Sequence, residues 1–299
     1  MHYTGTIWRP PYEASSLLLE VTAGCTHHRC KFCTLYADLP FRFRMSPMED
    51  IEADLKEAQK IYRSLGGGKV SRAFLTGANP FVLKYDKLME IAELVHRYFP
   101  DIETIGSFAR VTDITLKTDK ELAALHGTGY DGLTIGIETA DDGALRFMEK
   151  GYLAQDILGQ CGRLDQAGIR YSFFYLTGIS GAGRGEGGAR ATAAVCNKLH
   201  PALVGVNMLT IYPDSKLYGE IQQGNWEEES EIEKYKEVRA LVEGLEIPTE
   251  FAAMGASNAF QFHGALPQDK DALIAAIDKI IGNVTEDSLR EYRRNLRHL

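Results

Sequence analysis

Six short apolar runs, each followed by an amphipathic stretch, constrain the fold of this chain more than any other feature. They are Ser16–Val21, Arg72–Thr76, Glu103–Phe108, Leu133–Ile137, Ile169–Tyr175 and Leu203–Leu209. Runs of this length, bounded by turn residues, form buried strands. Between the first two, Ile51, Leu55, Ala58, Tyr62 and Leu65 share one helical face, and Gly66-Gly67-Gly68 ends that helix. Ser46-Pro47-Met48-Glu49 and Thr118-Asp119-Lys120-Glu121 both carry the pattern of a capping box. Further helices are predicted over Lys87–Tyr98, from Thr118 to Gly127, over Leu153–Ala167 and near Ala189–Leu199. Alternating strand and helix predicts an α/β chain with a parallel sheet and right-handed crossovers. Six repeats are fewer than a closed eight-fold barrel needs. An open partial (β/α)6 TIM-like barrel and a flat doubly wound sheet both fit this order.

After Pro213 the pattern changes. Trp226–Gly244, Ala272–Ile281 and Glu286–Leu296 read as amphipathic helices, and Glu250–Met254 as a possible seventh strand. The expected organisation is a barrel over residues 1–225 and a C-terminal, mostly helical cover over 226–299. With 299 residues, 44% of them hydrophobic, the chain can bury a core of that size. A net charge of −8 gives no basic footprint for sequence-independent nucleic-acid binding. No apolar run is long enough for a membrane span, and Met1–Pro10 lacks a signal-peptide core. A cytoplasmic protein with reduced thiols is therefore expected.

Three of the five cysteines lie in the loop after the first strand, in Gly24-Cys25-Thr26-His27-His28-Arg29-Cys30-Lys31-Phe32-Cys33. Clustered cysteines in a reducing compartment point to metal ahead of disulfides. Three thiolates can hold three irons of a [4Fe-4S] cluster and leave the fourth iron open to a ligand. The same cysteines with His27 or His28 would make a tetrahedral Cys3His zinc site, in a zinc-stabilised binding module without catalysis. Buried thiols without metal are a third reading. Cys161 and Cys196 fall inside helical patterns, suit inert core positions, and are not spaced to hold a second cluster.

With Phe32 before the third cysteine, this loop resembles that of the radical S-adenosylmethionine (SAM) superfamily, with one residue more than the usual C-x3-C-x2-C. Phe74-Leu75-Thr76-Gly77-Ala78-Asn79-Pro80 stands where that family has its glycine-rich second-strand motif, though with a single glycine. Ser107-Phe108-Ala109-Arg110 ends the third strand. Ile135-Gly136-Ile137-Glu138-Thr139 resembles the I-G-x-E-S segment of the branch related to the Elongator catalytic subunit and oxygen-independent coproporphyrinogen oxidase. The resemblance implies a partial barrel with a [4Fe-4S] cluster on Cys25, Cys30 and Cys33. It implies SAM contacts from Phe32, Thr76, Gly77, Ser107, Arg110 and Glu138. Within that set Glu138 would meet the ribose or amino group, and the Arg110 fork would suit the methionyl carboxylate. The implied activity is reductive cleavage of SAM to a 5′-deoxyadenosyl radical, which abstracts hydrogen from a small-molecule or peptide substrate. An oxygen-sensitive enzyme fed by a donor such as flavodoxin or ferredoxin follows. A tRNA- or protein-modifying enzyme is the alternative; a methylthiolating one would need a second cluster, which the cysteine count does not provide.

Three other stretches carry candidate chemistry. Gly183-x-Gly185-x-x-Gly188 matches a dinucleotide fingerprint formally, but no acidic residue ends the next strand, so Gly178–Gly188 is expected to be a flexible loop. Phe41-Arg42-Phe43-Arg44 suits docking of an acidic electron donor, a hold on an anionic substrate, or a solvated amphipathic segment. Ser257, Asn258 and His263 suit substrate contacts or turn and cap positions.

Overall fold

The computed structural model describes residues 1–296. Its elements begin with β1 (Leu17–Glu20), β2 (Thr22–Gly24), β3 (Phe43–Met45), α1 (Met48–Ser64), β4 (Arg72–Thr76), α2 (Tyr85–Tyr98) and β5 (Thr104–Ala109). There follow α3 (Val111–Ile114), α4 (Asp119–Gly127), β6 (Tyr130–Glu138), α5 (Asp142–Phe147), α6 (Ala154–Ala167), β7 (Tyr171–Thr177) and α7 (Gly185–Cys196). The chain continues with β8 (Leu203–Met208), α8 (Lys216–Gln222), α9 (Glu231–Gly244), β9 (Thr249–Ala253), β10 (Phe262–Leu266), α10 (Lys270–Asn283) and α11 (Glu286–Arg294). The expected α/β class is met, and each of the six anticipated strands is present.

The chain forms two compact units. One holds Met1–His28, Leu35–Ile135 and Gln160–Tyr171; the other holds Arg29–Thr34, Gly136–Gly159 and the chain from Ser172. In the first unit β1 pairs with β4, β4 with β5 and β5 with β6, all parallel. Leu19, Phe74, Leu75, Ile105 and Ile135 are fully buried there, as strands covered on both faces require. The amino end of β4 is fastened by Arg72, which pairs with the buried Glu13 at 2.7 Å and donates to Thr104 Oγ1 at 3.0 Å. A Cβ at Gly106 would collide with that guanidinium, so a side-chain-free neighbour makes room for it.

The capping box at Thr118 forms: Thr118 Oγ1 accepts the Glu121 N–H, and Glu121 Oε2 accepts the Thr118 N–H. The one expected at Ser46 does not. The Ser46 N–H donates to the Val21 carbonyl at 2.9 Å, and α1 starts after Pro47 with no side-chain cap. Ser46 is drawn into the continuation of the β2–β3 pair, a short antiparallel ribbon that joins Thr22 to Met45 and Gly24 to Phe43.

In the second unit β7 pairs with β8 and β8 with β9 in parallel, and β10 runs antiparallel to β9 from Phe262↔Ala253 to Leu266↔Thr249. The tail is mostly helical, as expected, and it also supplies strands: β9 where a seventh was anticipated, and β10. Helix α7 begins at Gly185, four residues earlier than expected, and takes the last glycines of the Gly178–Gly188 segment into its first turn. That segment is largely packed. Gly178, Gly181, Gly185 and Gly188 are buried, and a Cβ on Gly188 would press on Ser180 Oγ. The flexible loop anticipated from its glycines is therefore a tight passage at Gly181, Gly185 and Gly188, where close neighbours require glycine, while Gly183 and Gly187 face open space.

Candidate functional site

Cys25 follows β2 directly. Its N–H donates to the Arg42 carbonyl at 2.9 Å and so extends the β2–β3 ribbon by one bond. Gly24 before it has φ +79°, and a Cβ there would collide with that same carbonyl; only glycine allows the approach. The Arg42 guanidinium donates to the His27 carbonyl. Arg44 donates to Thr4 Oγ1 at 2.9 Å and stacks its guanidinium over Phe41. The Phe41–Arg44 stretch thus braces the start of the cysteine loop.

Thr76 closes β4 opposite Glu20, the last residue of β1. Gly77 turns away with φ +126°, so close to Thr22 that a Cβ would collide with its hydroxyl and its carbonyl. The hydroxyls of Thr22 and Thr76 are buried without a hydrogen-bond partner among the described residues. Both residues line a small cleft with Glu20, Trp8, Tyr36 and Gly77. Buried hydroxyls are nearly always satisfied, so two orphans in one cleft call for a polar group from outside the chain. Ser107 is fully buried in β5, and its Oγ donates to the Phe108 carbonyl at 2.8 Å. Arg110 follows β5; its guanidinium donates to Thr112 Oγ1 at 3.0 Å and its N–H to Asp113 Oδ2 at 2.8 Å. Asp113 carries no signal in the sequence. It is buried, and burial pushes its carboxyl up to about 6 against the opposing pull of the Arg110 N–H and Asn79. Lys117, also buried, donates to the carbonyls of Phe81 and Leu83, and burial pushes its ammonium down to about 8.

In the second unit Cys30 and Cys33 sit at the two ends of one turn, with the Cys33 N–H on the Cys30 carbonyl at 3.2 Å. The turn is anchored between them. The Lys31 N–H donates to the Met148 carbonyl, the Lys31 carbonyl accepts the Leu217 N–H at 2.8 Å, and Lys31 Nζ pairs with Glu220 at 2.6 Å. Phe32 packs on the apolar cluster of Met148, Ile179, Leu209, Leu217 and Trp226. Glu138 ends β6 with φ +63°, in a tight turn closed by the Thr139 N–H on the Ile137 carbonyl at 2.8 Å. A left-handed γ-turn at a non-glycine residue is strained and persists only where its surroundings impose it. Lys150 braces it here. Its Nζ donates to Glu138 Oε1 and to the Gly136 carbonyl, both at 3.0 Å, and lies 5.8 Å from the Phe32 ring centroid. Tyr152 donates to the same Gly136 carbonyl at 2.8 Å.

Every residue expected to hold the cluster or SAM therefore lies at the carboxyl end of a strand or on the cysteine loop, apart from Ser107, which lies inside β5. Thr22, Asn79, Asp113, Lys150 and Tyr152 are not among the site residues expected from the sequence. Asn79 had a signal, since it stands inside the Phe74–Pro80 motif; Lys150 had none. Ser257 and Asn258 serve the backbone, Ser257 Oγ accepting the Met208 N–H and Asn258 Nδ2 donating to the Val206 carbonyl, both at 3.0 Å. His263 is exposed on β10 and faces Glu250 at 3.3 Å.

Among the described residues no three histidine, cysteine, aspartate or glutamate side chains gather as a ready metal site. The fit to a metal rests on the donors themselves. None of the three loop cysteines is in a disulfide; Cys25 and Cys30 are half-buried and Cys33 is exposed. Three accessible thiols on one loop are the ligand set of an iron–sulfur cluster with one iron left free. No helix among the described residues is long and apolar enough to cross a membrane.

Comparison with known proteins bears on both fold and family. No curated protein sequence matches the chain. Among solved structures, the radical SAM methyltransferase TsrM from Kitasatospora setae, with cobalamin and a [4Fe-4S] cluster bound, aligns over 70% of this chain and 39% of its own, at 17% identity and TM-score 0.55. Coproporphyrinogen III oxidase HemN from Escherichia coli aligns over 66% of this chain and 44% of its own, at 18% identity and TM-score 0.51. Methylornithine synthase PylB aligns over 93% of this chain and 85% of its own, at 16% identity and TM-score 0.52. At these identities the likeness is one of fold, and the chain spans less than half the length of the first two. The family model described as "Radical SAM superfamily" matches residues 19–186, more than half of the chain and the stretch that carries the cysteine loop, Gly77, Arg110 and Glu138. The chain belongs to the radical SAM superfamily.

Proposed function

We propose that this enzyme holds a [4Fe-4S] cluster on Cys25, Cys30 and Cys33, cleaves SAM reductively, and takes hydrogen from a small-molecule or peptide substrate. The observation that carries the reading is the set of three accessible thiols, without a fourth cysteine nearby, on the loop after β2. Cys25, Cys30 and Cys33 would hold such a cluster, and the chemistry it would supply is one electron to the sulfonium of SAM, which would give methionine and a 5′-deoxyadenosyl radical able to abstract hydrogen.

The chain's own residues would bind and shield. The orphaned Thr22 and Thr76 hydroxyls and the Gly77 backbone suit the methionyl amino group, and Glu138, already fixed by Lys150, suits the ribose hydroxyls. Arg110 offers a planar fork for the methionyl carboxylate. Ser107, whose hydroxyl already donates to the Phe108 carbonyl, would have to release it before donating to a ligand and could otherwise only accept. Phe32, seated on apolar neighbours, would exclude water beside the two cysteines it separates. The division into a catalytic part, 1–225, and an extension, 226–299, belongs to this reading, as do an electron donor of flavodoxin or ferredoxin type, oxygen sensitivity and a cytoplasmic setting.

The test is anaerobic reconstitution with iron and sulfide, then addition of dithionite and SAM. Formation of 5′-deoxyadenosine is the expected result. Zinc without iron or sulfide in anaerobically purified protein, or intact SAM after reduction of a fully loaded sample, would overturn the reading.

A further inference from the structure

We propose that the Asn79 side chain, held by Asp113, is the positioning residue that fixes the Cys25 end of the cysteine loop. The inference rests on the cluster reading above. Asn79 is fully buried at the turn after β4. Its Nδ2 donates to Thr26 Oγ1 at 2.8 Å, and the Thr26 N–H approaches Asn79 Oδ1 at 3.4 Å. The same Nδ2 reaches both oxygens of Asp113 at 3.1 Å, and Asp113 Oδ2 accepts the Arg110 N–H at 2.8 Å.

One amide and one carboxylate thus join three loops: the cysteine loop after β2, the Gly77 turn after β4 and the Arg110 turn after β5. Only an amide meets both demands at Asn79, because it must donate to Thr26 and Asp113 with one end and accept from Thr26 with the other. An aspartate there would set a carboxylate against Asp113 and lose both donations. Lys117 reaches the Asp113 carboxylate only through its charge, since its ammonium donates to the Phe81, Leu83 and Asp113 carbonyls. Thr26 adjoins Cys25, so the network acts on the thiolate through a single peptide. Partners that orient a metal ligand without touching the metal commonly control how tightly the metal is kept.

The experiment uses reconstituted full-length protein and three variants: Thr26→Val, which keeps shape and removes the hydroxyl; Thr26→Ser, which keeps the hydroxyl; and Asn79→Asp. Iron release to a ferrous chelator under anaerobic conditions is the readout, with the EPR spectrum of the reduced protein and the unfolding midpoint of the metal-free protein alongside. Thr26 is half-buried and the valine nearly isosteric, so that variant keeps its fold. We expect Thr26→Val and Asn79→Asp to lose iron about tenfold faster than wild type, and Thr26→Ser to stay within about twofold. The unfolding midpoint of metal-free Thr26→Val should match wild type. Release at the wild-type rate from Thr26→Val, with wild type fully loaded, overturns this inference alone. A wild-type protein that takes up no iron removes the cluster reading and this inference with it.

Discussion

The Lys150 ammonium donates to Glu138 Oε1 at 3.0 Å while the Glu138 backbone sits at φ +63°. Both side chains are largely buried, with 6% and 16% of their surface exposed. Lys150 thus neutralises a sequestered carboxylate and holds a strained turn at the end of β6. Lys150→Met should destabilise the protein by about 3 kcal/mol, because it leaves a buried charge unpaired. SAM binding, measured by equilibrium dialysis, should weaken in the same variant. Unchanged urea unfolding and unchanged SAM binding would remove Lys150 from the site.

Gly77 lies against Thr22 with no space for a methyl group and with a backbone that favours glycine. Gly77→Ala should therefore cost about 2 kcal/mol or more, through clash and positive φ together. A denaturant titration reads the loss directly. Alanine at Gly66, where a Cβ would meet nothing, is the control for the backbone contribution alone, because its φ is also positive.

Substitution of Cys25, Cys30 or Cys33 by serine should each reduce iron after reconstitution to background. Cys161→Ser and Cys196→Ser should retain it, since both residues are fully buried in helices. Burial also pushes the Cys196 thiol up to about 12, so it is an inert thiol at neutral pH. Iron and sulfide assays on the five variants separate the two classes. Loss of iron in all five would point to unfolding as the cause.

Glu229 and Glu237 converge on Gly185, where a Cβ would collide with the one and lie 2.6 Å from the other. Glu237 accepts the Gly178 N–H at 2.7 Å and the Tyr175 hydroxyl; Glu229 Oε1 accepts the Gly185 N–H at 2.9 Å, and Glu229 Oε2 is buried with no donor facing it among the described residues. Burial, and then the neighbouring Glu229, raise the Glu237 carboxyl well above the usual carboxylate range; burial raises Glu229 too. A proton shared by the pair explains the geometry. Above the ordinary carboxylate range the folded state then binds more protons than the unfolded chain, so stability falls as pH rises through the pair's titration. Glu229→Gln supplies a permanent donor to Glu237 and should flatten that decline. Unfolding curves from pH 5 to pH 8 would show it, and parallel curves for the two proteins would count against a shared proton.

The sequence made the repeated units legible because each strand is an apolar run between turn signals, and Thr118 and Glu121 formed the cap that their spacing announced. It did not reveal β2 and β3. These are three-residue strands whose pairing depends on Gly24 meeting the Arg42 carbonyl, a contact made across 18 residues of sequence. Ser46 carried a capping signal and lost it to the Val21 carbonyl, so a tertiary bond overrode a local preference. The glycines after Gly178 read as slack because their need for close neighbours is visible only once Glu229, Glu237 and Ser180 are in place. The cysteines, Gly77, Arg110 and Glu138 stood out by motif. Asp113 and Lys150 did not, since a buried charge announces itself only by the partners the fold brings to it.

The reversal of direction at β10 sets a limit on how this architecture can grow. A series of parallel strands is open-ended: another helix and strand can always be laid beside the last. Phe262–Leu266 runs the opposite way along β9, so a further strand running with β9 and laid beside β10 would pair antiparallel, without the evenly spaced, slanted ladder of the repeat. The parallel ladder of the repeat therefore stops at this margin.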